Sequence, residues 1–234
     1  MSINENQQNT NFGNLYIVAT PIGNLSDITF RAIEVLKSVD LILTEDTRRA
    51  LKLLNHYNIK KPIESFFVGN EKFKSERIIN MLENNKNIAL ISESGTPCIS
   101  DPGNYLVNEC HKKGITVIPI PGPSAFVTAL SVSGIANIPT LFLGFLPKTK
   151  QKQNKIMKKI KEFDYNIIFY ESPHRLLKTL NLLKENFGNI KIFLFKELTK
   201  KFESIIIDNI DNIFNKFDDK VKGEYVILFN KNIF

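Results

Sequence analysis

The chain of 234 residues has two cysteines, Cys98 and Cys110, three histidines, and no apolar run approaching the ~20 residues of a membrane span. Two cysteines make no disulfide framework, and their spacing fits no CxxC metal or redox motif. A reducing, cytoplasmic compartment is the expectation. His56, His111 and His174 are too scattered to propose a metal site. The start, MSINENQQNTN, lacks the apolar core of a signal peptide and reads as a short disordered tail over residues 1–12. There is no GxxxxGK[ST] phosphate loop, no GxGxxG, no HExxH and no GxSxG elbow. Nothing in the spacing supports a catalytic triad built from Ser94 or Ser124 with His174.

What is present is ordinary in bulk and unusual in detail. Hydrophobic residues make up 43% and charged residues 24%, as in a globular protein large enough to bury a substantial core. The formal net charge of +7 favours an anionic partner, nucleic acid before membrane. Lysine, asparagine and isoleucine are abundant everywhere, so compositional drift of the genome is an alternative source of that charge.

Short β-branched-rich runs, the mark of buried strands, occur at Leu15–Ala19, Leu41–Thr44, Asn87–Ser92 and Ile115–Ile120. Amphipathic segments separate them: Ile28–Val39 after the cap candidates Ser26 and Asp27, Thr47–Tyr57, Glu76–Leu82 after Ser75, and Tyr105–Lys113 before Gly114. The second half predicts helices over Ser124–Ser133, about 150–163, from Pro173 to Phe187 and near Asn209–Phe217. Its strands are expected at Thr140–Phe145, Asn166–Tyr170, Lys191–Lys196, Glu203–Asp208 and Glu224–Phe229. Adjacent β-to-β steps there suggest partly antiparallel pairing. The expectation is an α/β protein of two α/β domains, 13–120 and 121–234, with mixed, mostly parallel sheets and a cofactor cleft between them. The hinge falls at Pro119–Pro123.

The special residues collect after strands. TPIGNLSD follows the first strand, EDTRR the second, SESGTPCISDPG the third and PGPSA the fourth; ESPHR and KELTK follow strands of the second half. In a parallel sheet these ends share one edge, where open α/β sheets bind ligands. Loops rich in backbone amides, with a few carboxylates and no phosphate ligands, suit a phosphate-free cofactor with an adenosine-like body and an amino-acid-like end. S-adenosylmethionine fits, because its sulfonium makes the methyl electrophilic and leaves the protein to bind, align and deprotonate.

The string LYIVATPIGNLSDITFRAIEVLKSVDLILTEDTRRALKLL resembles the ribosomal RNA small-subunit methyltransferase I family, within the tetrapyrrole-methylase-like superfamily. So do SESGTPCISDPG, PIPGPSAFVTALSVSGI, FLGFLPK, FYESPHRLLKTL and KELTKKFE, and the resemblance runs from about Leu15 to Phe229. It implies transfer of methyl from S-adenosylmethionine to the ribose 2′-hydroxyl of a decoding-region cytidine in small-subunit ribosomal RNA or the small ribosomal subunit. It also implies two α/β domains and a homodimer, while the lack of a spanning apolar run points to no membrane. Carried over, Gly95, Thr96 and Pro97 correspond to the superfamily's Gly-Asp-Pro cofactor loop, with Glu93, Ser94, Asp101 and Pro102 beside them. Pro21 and Gly23 match the first glycine/proline loop, and Ser124 and Ala125 the small-residue helix start. In the second half Tyr170, Glu171 and the segment Lys196–Thr199, including Leu198, are implied to close over the cofactor.

Relatives often carry HxHNE where this chain has Phe67-Val68-Gly69-Asn70-Glu71, which removes any histidine base there. The chain also stops at Phe234, where many relatives continue into a small helical extension, and a trimmed enzyme is the expectation. For preparing the acceptor the candidates are Glu45, Asp46, Glu71 and Lys196; sequence does not choose among them. Asp46 reads equally as a helix cap, and His174 as a capping or packing residue. Arg48 and Arg49 are expected at RNA phosphates, as are Lys155, Lys158 and Lys159, whose alternative is the solvated face of an amphipathic helix. A methylase of small tetrapyrrole acids and a non-catalytic ribosome-binding factor are the other readings.

Overall fold

The computed structural model describes residues 12–217 and 221–232. The predicted N-terminal tail lies almost wholly outside them. The chain divides into two compact units, one of residues 1–21 and 25–123, the other of residues 22–24 and 124–234.

The first unit builds a parallel sheet from β1 (Leu15–Val18), β2 (Leu41–Thr44), β3 (Ile63–Ser65), β4 (Ile88–Ile91) and β5 (Val117–Ile120), in the order β3-β2-β4-β1-β5. Every pairing in this sheet is parallel. Four helices cover it: α1 (Phe30–Ser38), α2 (Thr47–His56), α3 (Glu71–Glu83) and α4 (Asn104–Lys112). The strands read as continuous apolar runs because both faces are covered, yet their side chains sort by alternation. Leu41, Leu43, Ile88 and Leu90 pack with Ile78, Leu82, Leu106 and Cys110 of α3 and α4. Ile42, Ala89 and Ile91 pack on the other face with Ala32, Leu36, Ala50 and Leu54 of α1 and α2. The chain steps one way from β1 through β2 to β3, then reverses through β4 to β5. The reversal leaves the C-terminal ends of β1 and β4 side by side, a topological switch point.

Local signals explain most element ends. Asp46 caps α2, its carboxylate accepting from the Arg48 amide at 2.8 Å. Two starts differ from expectation. Leu25–Asp27 forms a 3-10 turn, so α1 is capped instead by Thr29, whose hydroxyl accepts from the Ala32 amide at 3.1 Å. Helix α3 begins at Glu71, five residues before the predicted start. Ser75 lies inside it and donates its hydroxyl back to the Glu71 carbonyl at 2.7 Å.

The second unit carries a mixed sheet of β6 (Thr140–Phe145), β7 (Asn166–Glu171), β8 (Lys191–Lys196), β9 (Ser204–Asn209) and β10 (Tyr225–Phe229), ordered β6-β7-β10-β8-β9. β6 pairs with β7 in parallel, whereas β10 runs antiparallel to both β7 and β8, as the β-to-β steps suggested. The helices are α5 (Ala125–Ser131), α6 (Lys150–Ile160), α7 (Leu176–Phe187) and α8 (Ile210–Phe214). Pro173 lies in the turn ahead of α7 rather than in its first turn. Met157 and Ile160 of α6 and Leu176, Leu180 and Leu183 of α7 share one core with Ile167, Phe169 and Ile227, so both helices cover the same sheet face. Ile22, Ala129, Ile168, Phe195 and Leu198 pack on the opposite face.

Asn166 anchors the entry to this sheet. Fully buried, it donates to the Ile135 carbonyl at 2.7 Å and the Thr140 hydroxyl at 3.3 Å, and its own carbonyl accepts from Asn230 at 3.3 Å. Asn166→Ala leaves these buried groups unmatched and should cost ~1–3 kcal/mol. Urea denaturation should show a lower midpoint at an unchanged slope.

Candidate functional site

Three loops meet at the C-terminal edge of the first sheet because their strands are neighbours. After β1, Thr20 forms an isolated two-bond antiparallel bridge with Gly95 of the loop after β4, at 2.9 and 3.0 Å. The Thr20 hydroxyl also donates to the Ser92 carbonyl at 3.2 Å, and Ser92 donates its own to the Gly95 carbonyl at 2.9 Å. From the loop after β5, the Pro123 carbonyl accepts from the Thr96 hydroxyl at 3.2 Å. Gly95 takes a φ of 84°, a conformation that glycine adopts without strain. Gly103, at φ 129°, has Cys98 Sγ and Leu90 where a Cβ would stand. Pro21, Glu93, Ser94, Gly95, Thr96, Pro97 and Asp101 therefore belong to one cross-braced rim. Sequence reasoning did not select Thr20 and Ser92; the available signal was a hydroxyl ending each apolar run.

Acids gather on that rim. Glu45 follows β2 and Glu93 follows β4, and these strands pair directly. Arg49 of α2 forms an ion pair with Glu93, joining the two loops. Asp101 has its carboxyl pushed up to about 6, by burial first and then by the charges of Glu45 and Glu93. Glu45 is raised as well, chiefly by burial and then by Glu93. Among the described residues no group of histidines, cysteines and acids is arranged to hold a metal. Carboxylates that repel one another, beside a backbone-rich loop, fit an organic cation: its positive charge relieves the repulsion while amides and carbonyls hold its neutral parts.

The other candidates for acceptor chemistry separate clearly. The Asp46 carboxylate faces the α2 amide and Arg48, which hold it below the usual carboxylate range. Glu71 reaches across to α4, its Oε1 accepting from the amides of Gly103 and Tyr105, both at 3.0 Å. Helix α4 has no side-chain cap of its own, and Glu71 supplies one from another helix. Asn70 is structural in the same sense: its side chain accepts from the Phe67 amide at 2.8 Å and donates to the Ser65 carbonyl at 3.3 Å. Lys196 ends β8 in the second unit, partly exposed.

In the second unit Gly23 sits against Leu198, Thr199 and Lys200, and the Asn24 amide donates to the Thr199 hydroxyl at 3.1 Å. Ser124 and Ala125 open α5. The Tyr170 hydroxyl accepts from the Phe126 amide at 3.3 Å, and Leu198 is buried. Glu171 faces inward at 2% exposure, accepting from the Ser172 amide at 2.8 Å and the Thr179 hydroxyl at 2.6 Å, with Arg175 at 3.4 Å. In that geometry Glu171 holds Arg175 and Thr179. Lys155, Lys158 and Lys159 are exposed on α6, as is Arg48 on α2.

Residues 14–213 match the family of tetrapyrrole (corrin/porphyrin) methylases. The chain is 48% identical over 217 residues to the ribosomal RNA small subunit methyltransferase I of Mycoplasmopsis pulmonis (strain UAB CTIP), covering 92% of this chain and 96% of that one. It is 44% identical over 225 residues to the protein of the same name from Pasteurella multocida (strain Pm70), covering 94% and 80%. In fold it is similar to crystalline diphthine synthase, with a TM-score of 0.77 at 14% identity over 95% of this chain and 92% of that one. The uroporphyrin-III-C-methyltransferase of Thermus thermophilus gives a TM-score of 0.64 at 16% identity over 94% and 95%.

Two outcomes test the roles argued from geometry. Glu71→Ala should lower stability by ~1–2 kcal/mol in urea titrations, the worth of a helix cap, and Glu71→Gln, which keeps an acceptor, should recover most of it. For Asp101, folding raises the pKa, so the protonated acid is the form that the fold prefers. The stability it contributes is complete below the ordinary carboxylate value of 3.8 and is lost as pH rises to about 6. Thermal melts of Asp101→Asn should therefore exceed wild type at pH 7, with the difference closing below pH 4.

Proposed function

The chain belongs to the tetrapyrrole methylase family, among the proteins named ribosomal RNA small subunit methyltransferase I, and is an S-adenosylmethionine-dependent methyltransferase; from this we propose that it methylates the 2′-hydroxyl of a decoding-region cytidine in small-subunit ribosomal RNA. The observation that carries the cofactor side is the acidic rim of Glu45, Glu93 and Asp101 around a backbone-rich loop. Bound there, S-adenosylmethionine supplies an electrophilic methyl on a positively charged sulfur. Pro21, Ser94, Gly95, Thr96 and Pro97 would hold its neutral parts, with Glu93 and Asp101 matching its charge. Gly23, Ser124, Ala125, Tyr170 and Leu198 are assigned to the same ligand by resemblance.

A ribose hydroxyl is a poor nucleophile and needs a base or a hydrogen-bond acceptor. With Asp46 and Glu71 engaged at helix starts, Glu45 is the carboxylate of the first unit left to orient the acceptor. Its raised pKa, from burial and from Glu93, makes it a stronger base than an ordinary glutamate. Lys196 of the second unit remains the other possibility.

The enzyme is proposed to work in the cytoplasm, where its RNA substrate is made, and as a homodimer. Strand β9 supports the second point: it is a sheet edge, with Ile205 43% and Ile207 50% exposed. No helix among the described residues is long and apolar enough to cross a membrane.

Mass mapping of ribose methylation in small-subunit RNA, with and without the gene, tests the main reading. One 2′-O-methylcytidine should disappear on deletion and return with the wild-type gene; a full complement of methyl groups after deletion refutes the assignment. Glu45→Gln should restore little methylation even when S-adenosylmethionine, bound more weakly because one rim charge is gone, is raised to saturation as judged by calorimetry.

A further inference from the structure

The second unit has a cavity that the methyl-transfer chemistry leaves unused. Its volume is about 410 Å³, and it opens between the start of α6 and the outer turns of α7. Lys148 lines it from the turn ahead of α6, Lys150 and Gln153 from α6 itself, Arg175 from the N-cap position of α7, and Lys178 and Glu185 from within α7. Four cations thus surround one carboxylate. Lys148, Lys150 and Lys178 are exposed and engage no carboxylate among the described residues.

The arginine, by contrast, is built in. Arg175 donates to the Pro147 carbonyl at 3.2 Å and lies 3.4 Å from the fully buried carboxylate of Glu171, which also grips Thr179 in the same wall. Gln153 is fixed on the same carbonyl, donating at 2.8 Å. Helix α6 starts here without a side-chain cap: Thr149 is in the N-cap position and its hydroxyl makes no cap hydrogen bond. The first amides of α6 therefore add their partial positive charge to the ammonium groups around the groove.

We propose that this groove is an RNA-backbone site that docks the substrate's phosphates on the second unit, with Arg175 and Gln153 fixing the register and Lys148, Lys150 and Lys178 neutralising charge. The inference rests on the ribosomal RNA reading above. A run of phosphates fits better than one small anion. The cations are spread along two helices and mostly solvated, which suits a polyanion that gains by releasing counterions at several points. A further consequence concerns Lys155 and Lys159. On α6 they project from the side away from Lys150 and Gln153, so this groove and that lysine face are separable surfaces.

The test uses the full-length protein and three forms: wild type, Lys148→Ala/Lys150→Ala/Lys178→Ala, and Lys155→Ala/Lys158→Ala/Lys159→Ala, which removes the same charge elsewhere. Binding of methyl-deficient small ribosomal subunits is measured across a salt series, with S-adenosylmethionine affinity measured alongside. The groove variant should bind RNA at least about tenfold more weakly, with a log–log salt slope shallower by about 2, the loss of three single-strand phosphate contacts. Its S-adenosylmethionine affinity and melting temperature should be unchanged, and the α6-face variant should lose less than half as much RNA affinity. Equal losses in the two variants, or an unchanged slope in the groove variant, overturn the proposal. So does a groove variant that has lost affinity only for free nucleotide or inorganic phosphate. If wild type itself neither binds nor methylates the subunits, it is the ribosomal RNA reading that fails.

Discussion

The pair of hydrogen bonds between Thr20 and Gly95 is the constraint on which the site depends. Two loops leave neighbouring parallel strands and would otherwise diverge toward helices on opposite faces of the sheet. The bridge turns them back on each other, and the hydroxyls of Thr20, Ser92 and Thr96 brace the same point. A rim held by main-chain bonds presents amides and carbonyls in fixed directions without long side chains that would have to be ordered on binding. The acidic groups around it can then be held at distances where they disturb one another.

That mutual disturbance separates the carboxylates by role. Asp46 and Glu71 accept hydrogen bonds from amides at helix starts, which commits both to the fold. Glu45 and Asp101 lie where burial and like charge oppose ionisation, and their proton affinities move toward neutrality. Four acids that look alike in sequence are sorted by their surroundings into two held at helix starts and two whose carboxyls are pushed up.

Much of the scaffold is legible in the chain, since doubly covered strands appear as apolar runs and the loop residues after them are unusual. β3 is not, because Ile63–Ser65 is three half-buried residues with no apolar run to announce it. The start of α3 is misplaced because Ser75 looks like a cap, whereas its hydroxyl bonds backward within the helix. Glu71 misleads for a different reason: its partners, Gly103 and Tyr105, are more than thirty residues away, and no local pattern encodes a cap supplied by another helix. Glu171 follows the same logic, a carboxylate at a strand end that turns inward. The basic groove is half visible, since the lysine-rich stretch stands out, but its pairing with α7 needs the fold.

Glu71 also ties together two events that the chain order keeps apart. The first turn of α4 has no cap until α3 has docked, so the segment from Gly95 to Gly103 is closed at one end by a helix folded from other sequence. In hydrogen-exchange terms the contact joins the opening of the α4 start to that of α3. Release of α3 should therefore raise exchange of the Gly103 and Tyr105 amides that Glu71 holds. The rim is thereby tied at Gly95 to Thr20 beside it and at Gly103 to a helix seated by Ile78 and Leu82.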